Sequence, residues 1–236
     1  APTTVVHLIT TLGQGGAERV LSQAVPRPGD VPVDASGASR ERHVVVSLVA
    51  GGLFADELVA AGVEVRSLGM RPGRDLARGV WRLAVLLRTL RPTLVVGWMY
   101  HACLLLLLAR PLAGPGRRTR TVWNLRGSLH TTDGLPRATR ATIALLARRS
   151  RGPEAVAINS RTGRRHHIAA GYRPRRWVLL PNGCDVDRFR PDAADRDAVR
   201  AELGIPPGAV VALTLARRHP QKDHATLREA LRTVHA

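Results

Sequence analysis

The chain is poor in aromatic residues, lysine and cysteine. Aromatics make up 3% of its 236 residues, and lysine occurs once, at Lys222. The two cysteines, Cys103 and Cys184, are far apart, which excludes a disulfide framework and a Cys-x-x-Cys zinc site and fits a reducing cytoplasm. The apolar run 102–112 contains Arg110 and is shorter than the ~20 residues that span a bilayer, so we expect a core helix there.

Among the charged residues of the chain, positive charge dominates. Lys and Arg together number 36 against 18 Asp and Glu, giving a net charge of +18. Polyanions and anionic membrane surfaces are the natural partners of such a chain. The basic residues are spread from Arg19 to Arg232 with no zinc-finger spacing and no aromatic RNA-binding strand, which argues against nucleic acid. Peripheral attachment to the inner face of the plasma membrane stays open.

Short apolar runs alternate with amphipathic stretches throughout the chain. This alternation predicts an α/β fold with a doubly wound parallel sheet and ligands at the carboxyl ends of its strands. The predicted strands are residues 5–9, 43–49, 63–68, 94–96, 119–123, 155–158, 177–180 and 210–215. We expect residues 180–191 to link two domains.

A glycine-rich loop follows the first predicted strand. Gly15 and Gly16 would let backbone N–H groups approach an anion at the start of a helix, although the glycines could also serve only the turn. Glu18 stands where a dinucleotide-binding motif needs its third glycine, and the second strand ends without a carboxylate for a ribose, which argues against NAD. Glu18 itself either stabilises the first helical turn or belongs to the active site.

Polar side chains follow two further strands. His101 lies just after the fourth strand, and Asn124 and Arg126 lie at the end of the fifth. His101 is either structural or catalytic, while Arg126 is either surface charge or a ligand for an anionic substrate.

Two cations flank the turn after the eighth predicted strand. Arg217 and Lys222 would bracket the start of the next helix, where they could bind a diphosphate together with the helix N-terminus. In so arginine-rich a chain, the alternative is a solvated basic surface.

Taken together, four motifs resemble the retaining GT-B glycosyltransferases of family four. They are the glycine pair, the strand-end segment 98–101, the segment 181–191 and the Arg217–Lys222 turn. The resemblance implies a Rossmann-like acceptor-side domain over residues 1–190 and the beginning of a nucleotide-sugar-binding domain over 191–236. It further implies a nucleotide-sugar donor, a glycan or lipid-linked acceptor, a role in cell-surface polysaccharide synthesis, and no cofactor or metal.

The resemblance also assigns roles to residues. Arg217 and Lys222 are implied to neutralise the departing diphosphate, with Gly15 and Gly16 near the same phosphates. His101 is a catalytic candidate, while Asn124, Arg126 and Glu18 are candidates for binding substrate.

Two departures from the family pattern bear on catalysis. No catalytic histidine is carried over after the fifth strand, and the family's E-x7-E motif would lie beyond residue 236. We therefore expect a truncated chain that is inactive alone. The alternatives are a GT-B nucleotide-sugar epimerase, which would need carboxylates for proton abstraction, and a basic polyanion-binding protein.

Overall fold

A computed structural model describes residues 3–31, 33, 40–71, 73–114, 119–129, 134–216, 218 and 222–235. The chain divides into two compact units, residues 1–183 and residues 184–236. The division falls within the stretch 180–191 where the sequence places a linker. That the second unit begins a nucleotide-sugar-binding domain stays a prediction.

The first unit contains one sheet of seven parallel strands, as predicted. Its spatial order is β3-β2-β1-β4-β5-β6-β7, so the chain reverses its direction of travel across the sheet between β1 and β4. A ligand crevice is expected outside the carboxyl ends of the strands at such a point. The strands are β1 (Thr3–Ile9), β2 (Glu41–Ser47), β3 (Glu64–Ser67), β4 (Leu94–Trp98), β5 (Arg120–Leu125), β6 (Ala155–Ile158) and β7 (Trp177–Leu179).

Helices cover both faces of this sheet. They are α1 (Gly16–Ala24), α2 (Leu53–Ala60), α3 (Leu76–Leu90), α4 (Met99–Ala109), α5 (Arg137–Arg149) and α6 (Arg161–Ala169), with a 3-10 turn at Pro111–Ala113. Right-handed crossovers place α1 and α2 on one face and α3 to α6 on the other.

The buried clusters follow these two faces. Leu21 of α1 and Phe54 of α2 pack with Ile9 and Trp98, whereas α3 and α4 pack on the alternate β1 residues Val6 and Leu8. Because both faces are covered, β2 is buried continuously from Val44 to Ser47, as the strands of parallel sheets usually are. Within the described residues, no helix combines the length and apolarity needed to cross a membrane, and α4 lies in the core as predicted.

The second unit contains α7 (Ala193–Glu202) and α8 (His224–His235). Asp192 caps α7, because its Oδ1 accepts the backbone N–H groups of Ala194 and Asp195. The predicted strand at 210–215 is wrong: no strand forms there, and Val210 and Leu215 are 98% and 88% exposed. A parallel strand needs a neighbour for its backbone groups, and the described part of this unit has no other strand to pair with it.

Candidate active site

The loops that follow β1 and β2 are joined to each other. The backbone N–H of Phe54 donates to the carbonyl of Leu12 over 2.9 Å. Gly52 lies at this contact with φ +121°, and a Cβ there would come within 2.5 Å of the Leu12 backbone. Only glycine satisfies both the conformation and the close approach, so Gly52 fixes the position of the glycine-rich loop.

Gly15 and Gly16 lie at the start of α1. Gly15 is extended, with φ −152°, and its place before the helix carries no side-chain cap. A Cβ added at Gly16 would meet nothing within 4 Å. Neither backbone strain nor packing among the described residues therefore requires glycine at Gly16. A bare helix N-terminus of this kind leaves room for a ligand to approach the backbone.

Glu18 is directed back onto this loop. Its Oε1 accepts the hydroxyl hydrogen of Thr11 over 2.9 Å, and a Cβ at Gly15 would lie 2.1 Å from its Oε2. The carboxylate therefore occupies the space beside Gly15, where it interacts favourably with the positive end of α1. It would also repel an anion there, so an anionic ligand has its clearer approach at Gly16.

The end of β4 turns directly into α4. Met99, the first residue of α4, has φ +66°, a left-handed conformation that is unusual for a side chain of this size. His101 lies in the first turn of α4 and is exposed, and desolvation lowers its pKa. No hydrogen bond joins His101 to Asn124 or Arg126 in the described residues. The structure thus places His101 at the predicted edge of the sheet without linking it to the other candidates.

Asn124 and Arg126 do come together, beside Trp98. Trp98 and Asn124 are register partners at the carboxyl ends of β4 and β5. Arg126 Nη1 donates to Asn124 Oδ1 over 3.4 Å, and the guanidinium lies 5.8 Å from the centre of the Trp98 ring, within reach of a cation–π interaction.

Further contacts fix Arg126 from the segment that follows β7. Its Nη2 donates to the carbonyl of Leu180 and to Asn182 Oδ1, while its backbone N–H donates to the sulfur of Met99 over 3.3 Å. Partial burial lowers the pKa of Arg126. Arg126 is therefore an oriented guanidinium at the crevice and not a freely solvated surface charge.

Several buried polar atoms around Arg126 have no partner in the described residues. They are Arg126 Nε, Trp98 Nε1 and His7 Nδ1, and the rings of His7 and Trp98 lie 6.2 Å apart. The first two are N–H donors, and leaving a buried donor unpaired costs about 1–3 kcal/mol. Enclosed water molecules at this place would satisfy them. We call Trp98, Asn124 and Arg126 the arginine site.

His7 belongs to a chain of ring nitrogens that runs across β1 and β2. His43 Nε2 lies 3.1 Å from Glu41 Oε2, and His43 Nδ1 lies 3.2 Å from His7 Nε2. Because a carboxylate only accepts, neutral His43 donates from Nε2 and accepts from His7 at Nδ1. His7 Nδ1 is then a buried lone pair. Desolvation, with a smaller repulsion from His43, lowers the pKa of His7 to about 3.

This burial of His7 predicts a loss of stability in acid. Between pH 6.5 and about 3 the unfolded chain protonates His7 and the folded chain does not. The free energy of unfolding should therefore decrease as the pH is lowered through this window. His7 should contribute up to ~1.4 kcal/mol to this decrease per pH unit. Denaturant unfolding of wild type and His7→Phe at several pH values would measure it. Curves with the same slope in both proteins would contradict the prediction.

The structure describes only part of the predicted diphosphate clamp, which is the pair Arg217 and Lys222. Arg217 lies outside the described residues, so its role stays a prediction. Lys222 is exposed and lies two residues before α8. Asp223 lies between Lys222 and the helix, and its Oδ1 accepts the backbone N–H of Thr226 over 3.3 Å.

Two Asp-x-Asp spacings occur in the second unit. Asp185 Oδ1 accepts the backbone N–H of Arg188, and Asp197 pairs with Arg196 over 2.7 Å. In the part of the chain that the structure describes, no group of three or more His, Cys, Asp or Glu side chains could hold a metal ion. One carboxylate of each pair thus serves local structure, and a metal-free site stays an expectation.

Comparison with solved structures shows likeness in the fold. HepE of Anabaena, solved with UDP and glucose, aligns with 97% of this chain at TM-score 0.75 and 19% identity. A glycosyltransferase of Rickettsia africae ESF-5 aligns with 99% of it at TM-score 0.68 and 13% identity. In each case the chain spans 57% of the other protein's length.

Sequence comparison adds a relative and a family. A D-inositol 3-phosphate glycosyltransferase of Geodermatophilus obscurus is 45% identical over 60 residues, which are 25% of this chain and 13% of that protein. The profile of Glycosyltransferase Family 4 matches residues 35–188, well over half of the chain and most of the seven-stranded sheet. The arginine site lies within the matched stretch, and the chain belongs to Glycosyltransferase Family 4.

Proposed function

We propose that the protein transfers a sugar from a nucleotide-sugar donor to a glycan or lipid-linked acceptor with retention of configuration, in the synthesis of a cell-surface polysaccharide. The arginine site carries this proposal. It sets a fixed, half-buried cation beside Asn124 and Trp98 at the carboxyl ends of neighbouring strands, next to the point where the chain reverses its direction across the sheet. Such an array is suited to binding oxygen-rich molecules such as sugars and phosphates.

The first unit provides the acceptor side of the proposed reaction. Arg126 would bind an anionic group of the acceptor with its half-buried guanidinium. The similarity to a glycosyltransferase named for D-inositol 3-phosphate supports an acceptor that combines hydroxyl groups with negative charge. His101 has a lowered pKa and is neutral at pH 7, so it is suited to hydrogen bonding with a sugar hydroxyl.

The donor side depends on Arg217, Lys222 and the glycine loop. Charge grows on the diphosphate as its bond to the sugar breaks, and the two cations would stabilise that charge. Gly16 would add backbone N–H groups from the bare start of α1. The UDP and glucose in the HepE structure support a nucleotide sugar as the donor. We further propose a cytoplasmic location, which fits two free cysteines.

A panel assay tests this function. The full-length protein would be incubated with several nucleotide sugars, each with and without a lipid-linked or polyol phosphate acceptor. We expect nucleoside diphosphate release that depends on the acceptor, together with a product of retained anomeric configuration. Conversion of the donor sugar without any acceptor would instead indicate an epimerase. An inverted product would contradict the retaining mechanism.

Chelation should leave the reaction intact. Because Arg217 and Lys222 are proposed to meet the charge of the leaving diphosphate, added EDTA should not change the transfer rate. A metal-dependent glycosyltransferase assayed in parallel would show that the chelator is effective. Loss of turnover that is restored by Mg²⁺ or Mn²⁺ would contradict the proposed mechanism.

A further inference from the structure

Basic residues occur along the whole chain, but its net positive charge lies in one stretch of sequence. Residues 76–183 contain 20 arginines and two acidic residues, Asp133 and Glu154, which accounts for the whole net charge of +18. Acids and bases are equal in number over the rest of the chain. Within this stretch, α3 to α6 lie together on one face of the sheet and carry ten arginines and no acidic residue. On the other face, α1 and α2 carry one arginine and three acidic residues, so the helices of the two faces differ strongly in charge.

The outward side of α3 combines this charge with exposed apolar side chains. Arg78, Trp81, Val85 and Arg88 lie at helical spacing on one side, opposite the buried side that includes Leu83. Trp81 is 64% exposed and Val85 is 39% exposed. The other tryptophans are buried or half-buried, so the exposure of Trp81 is not a general property of tryptophan in this chain.

The 3-10 turn at Pro111–Ala113 extends this surface. It packs beside α3, and a Cβ added at Gly114 would lie 4.0 Å from Arg88 Nε. Leu112 of the turn is 51% exposed, and Arg110 next to it is exposed as well. We call Arg78, Trp81, Val85, Arg88, Arg110 and Leu112 the α3 surface.

We propose that the α3 surface docks the protein on an anionic lipid bilayer. Arginines around exposed tryptophan and aliphatic side chains are the pattern of helices that lie in a membrane interface. The amphipathic indole ring favours the headgroup level, and the guanidinium groups favour lipid phosphates. A nucleic acid would match the charge but would leave Val85 and Leu112 without apolar contact. This docking goes beyond the proposed transferase activity and does not depend on it.

Tryptophan fluorescence gives a direct test. The full chain would be mixed with vesicles of phosphatidylcholine alone and of phosphatidylcholine with phosphatidylglycerol. We expect a blue shift with the anionic vesicles only, and quenching when their lipids are brominated. In Trp81→Phe the shift should disappear while sedimentation with the vesicles persists, since phenylalanine keeps an apolar ring. Trp81→Ser should weaken the sedimentation itself.

A charge-matched pair of variants separates the α3 surface from general basicity. Each cation near an anionic surface contributes about fivefold to partitioning. Arg78→Gln with Arg88→Gln should therefore weaken vesicle binding roughly 25-fold at low salt. Arg19→Gln with Arg228→Gln makes the same change in net charge on α1 and on α8, both at exposed positions, and should have a much smaller effect.

Other results would overturn the docking. An equal loss of vesicle binding in the two double variants would indicate general electrostatic attraction. A Trp81 fluorescence spectrum that does not change when vesicles are added would show that the surface stays in water. Duplex DNA that binds as well as the vesicles, and loses binding with Arg78→Gln and Arg88→Gln, would identify a nucleic-acid surface instead. These measurements use neither donor nor acceptor, so a negative transferase assay would leave their outcome intact.

Discussion

Replacing Arg217 or Lys222 by alanine in the full-length protein should lower the transfer rate by about a hundredfold or more. Each cation is proposed to meet negative charge that appears as the diphosphate leaves, and losing one such stabiliser typically costs ~3 kcal/mol of transition-state stabilisation. The loss should fall mainly on kcat, because the charge to be stabilised is largest in the transition state. Steady-state kinetics with saturating acceptor would measure it.

Arg218 provides the control for this experiment. It is exposed and lies between Arg217 and Lys222 in the sequence, so Arg218→Ala makes the same change in net charge. Its rate should stay close to that of wild type. Wild-type rates in both Arg217→Ala and Lys222→Ala would remove the clamp from the mechanism. An equal fall of the transfer rate in all three variants would indicate that only the total positive charge of this segment matters.

Replacing Arg126 by alanine should weaken acceptor use by about a hundredfold in kcat/KM. Arg126 is fixed by Asn124, Leu180 and Asn182, so its guanidinium is already oriented when the acceptor arrives. A charge-assisted hydrogen bond contributes about 1.5–3 kcal/mol, and part of the effect should appear as a raised acceptor KM. Kinetics with varied acceptor at saturating donor would separate the two parameters.

Two further variants sharpen this test. Arg120 is exposed at the amino end of the same strand, so Arg120→Ala should leave kcat/KM unchanged. Arg126→Lys keeps the charge without the planar fork and should recover only part of the loss. Wild-type kinetics in a folded Arg126→Ala protein would show that the arginine serves structure alone.

The sequence predicts the sheet well because each strand has a local signature. All seven strands of the first unit form where short apolar runs predict them, with ends that shift by a few residues. The eighth predicted strand has the same local signature, yet residues 210–215 stay exposed. A strand forms only where a neighbour accepts its backbone hydrogen bonds, and the presence of a neighbour is not a local property.

The candidate site is predictable to the same extent. Asn124 and Arg126 are found from the sequence because both lie at the end of one strand. The partners that orient Arg126 cannot be found from the sequence in this way. Asn182 follows β7 and Trp98 ends β4, and only the folded sheet brings them to Arg126. His7 is not identified from the sequence, where its one signal is a polar residue inside an apolar run. Its contact with His43 depends on the register of β1 and β2.

Met99 shows a conflict between stability and function at one position. A left-handed backbone is costly for any residue with a Cβ, so stability alone would favour glycine between β4 and α4. Glycine, however, has no sulfur to accept the backbone N–H of Arg126 and no methyl group near Gly127. A stability-guided redesign would therefore select the substitution that loosens the loop carrying Arg126. Thermostability screens of this protein should be paired with acceptor kinetics whenever this junction is changed.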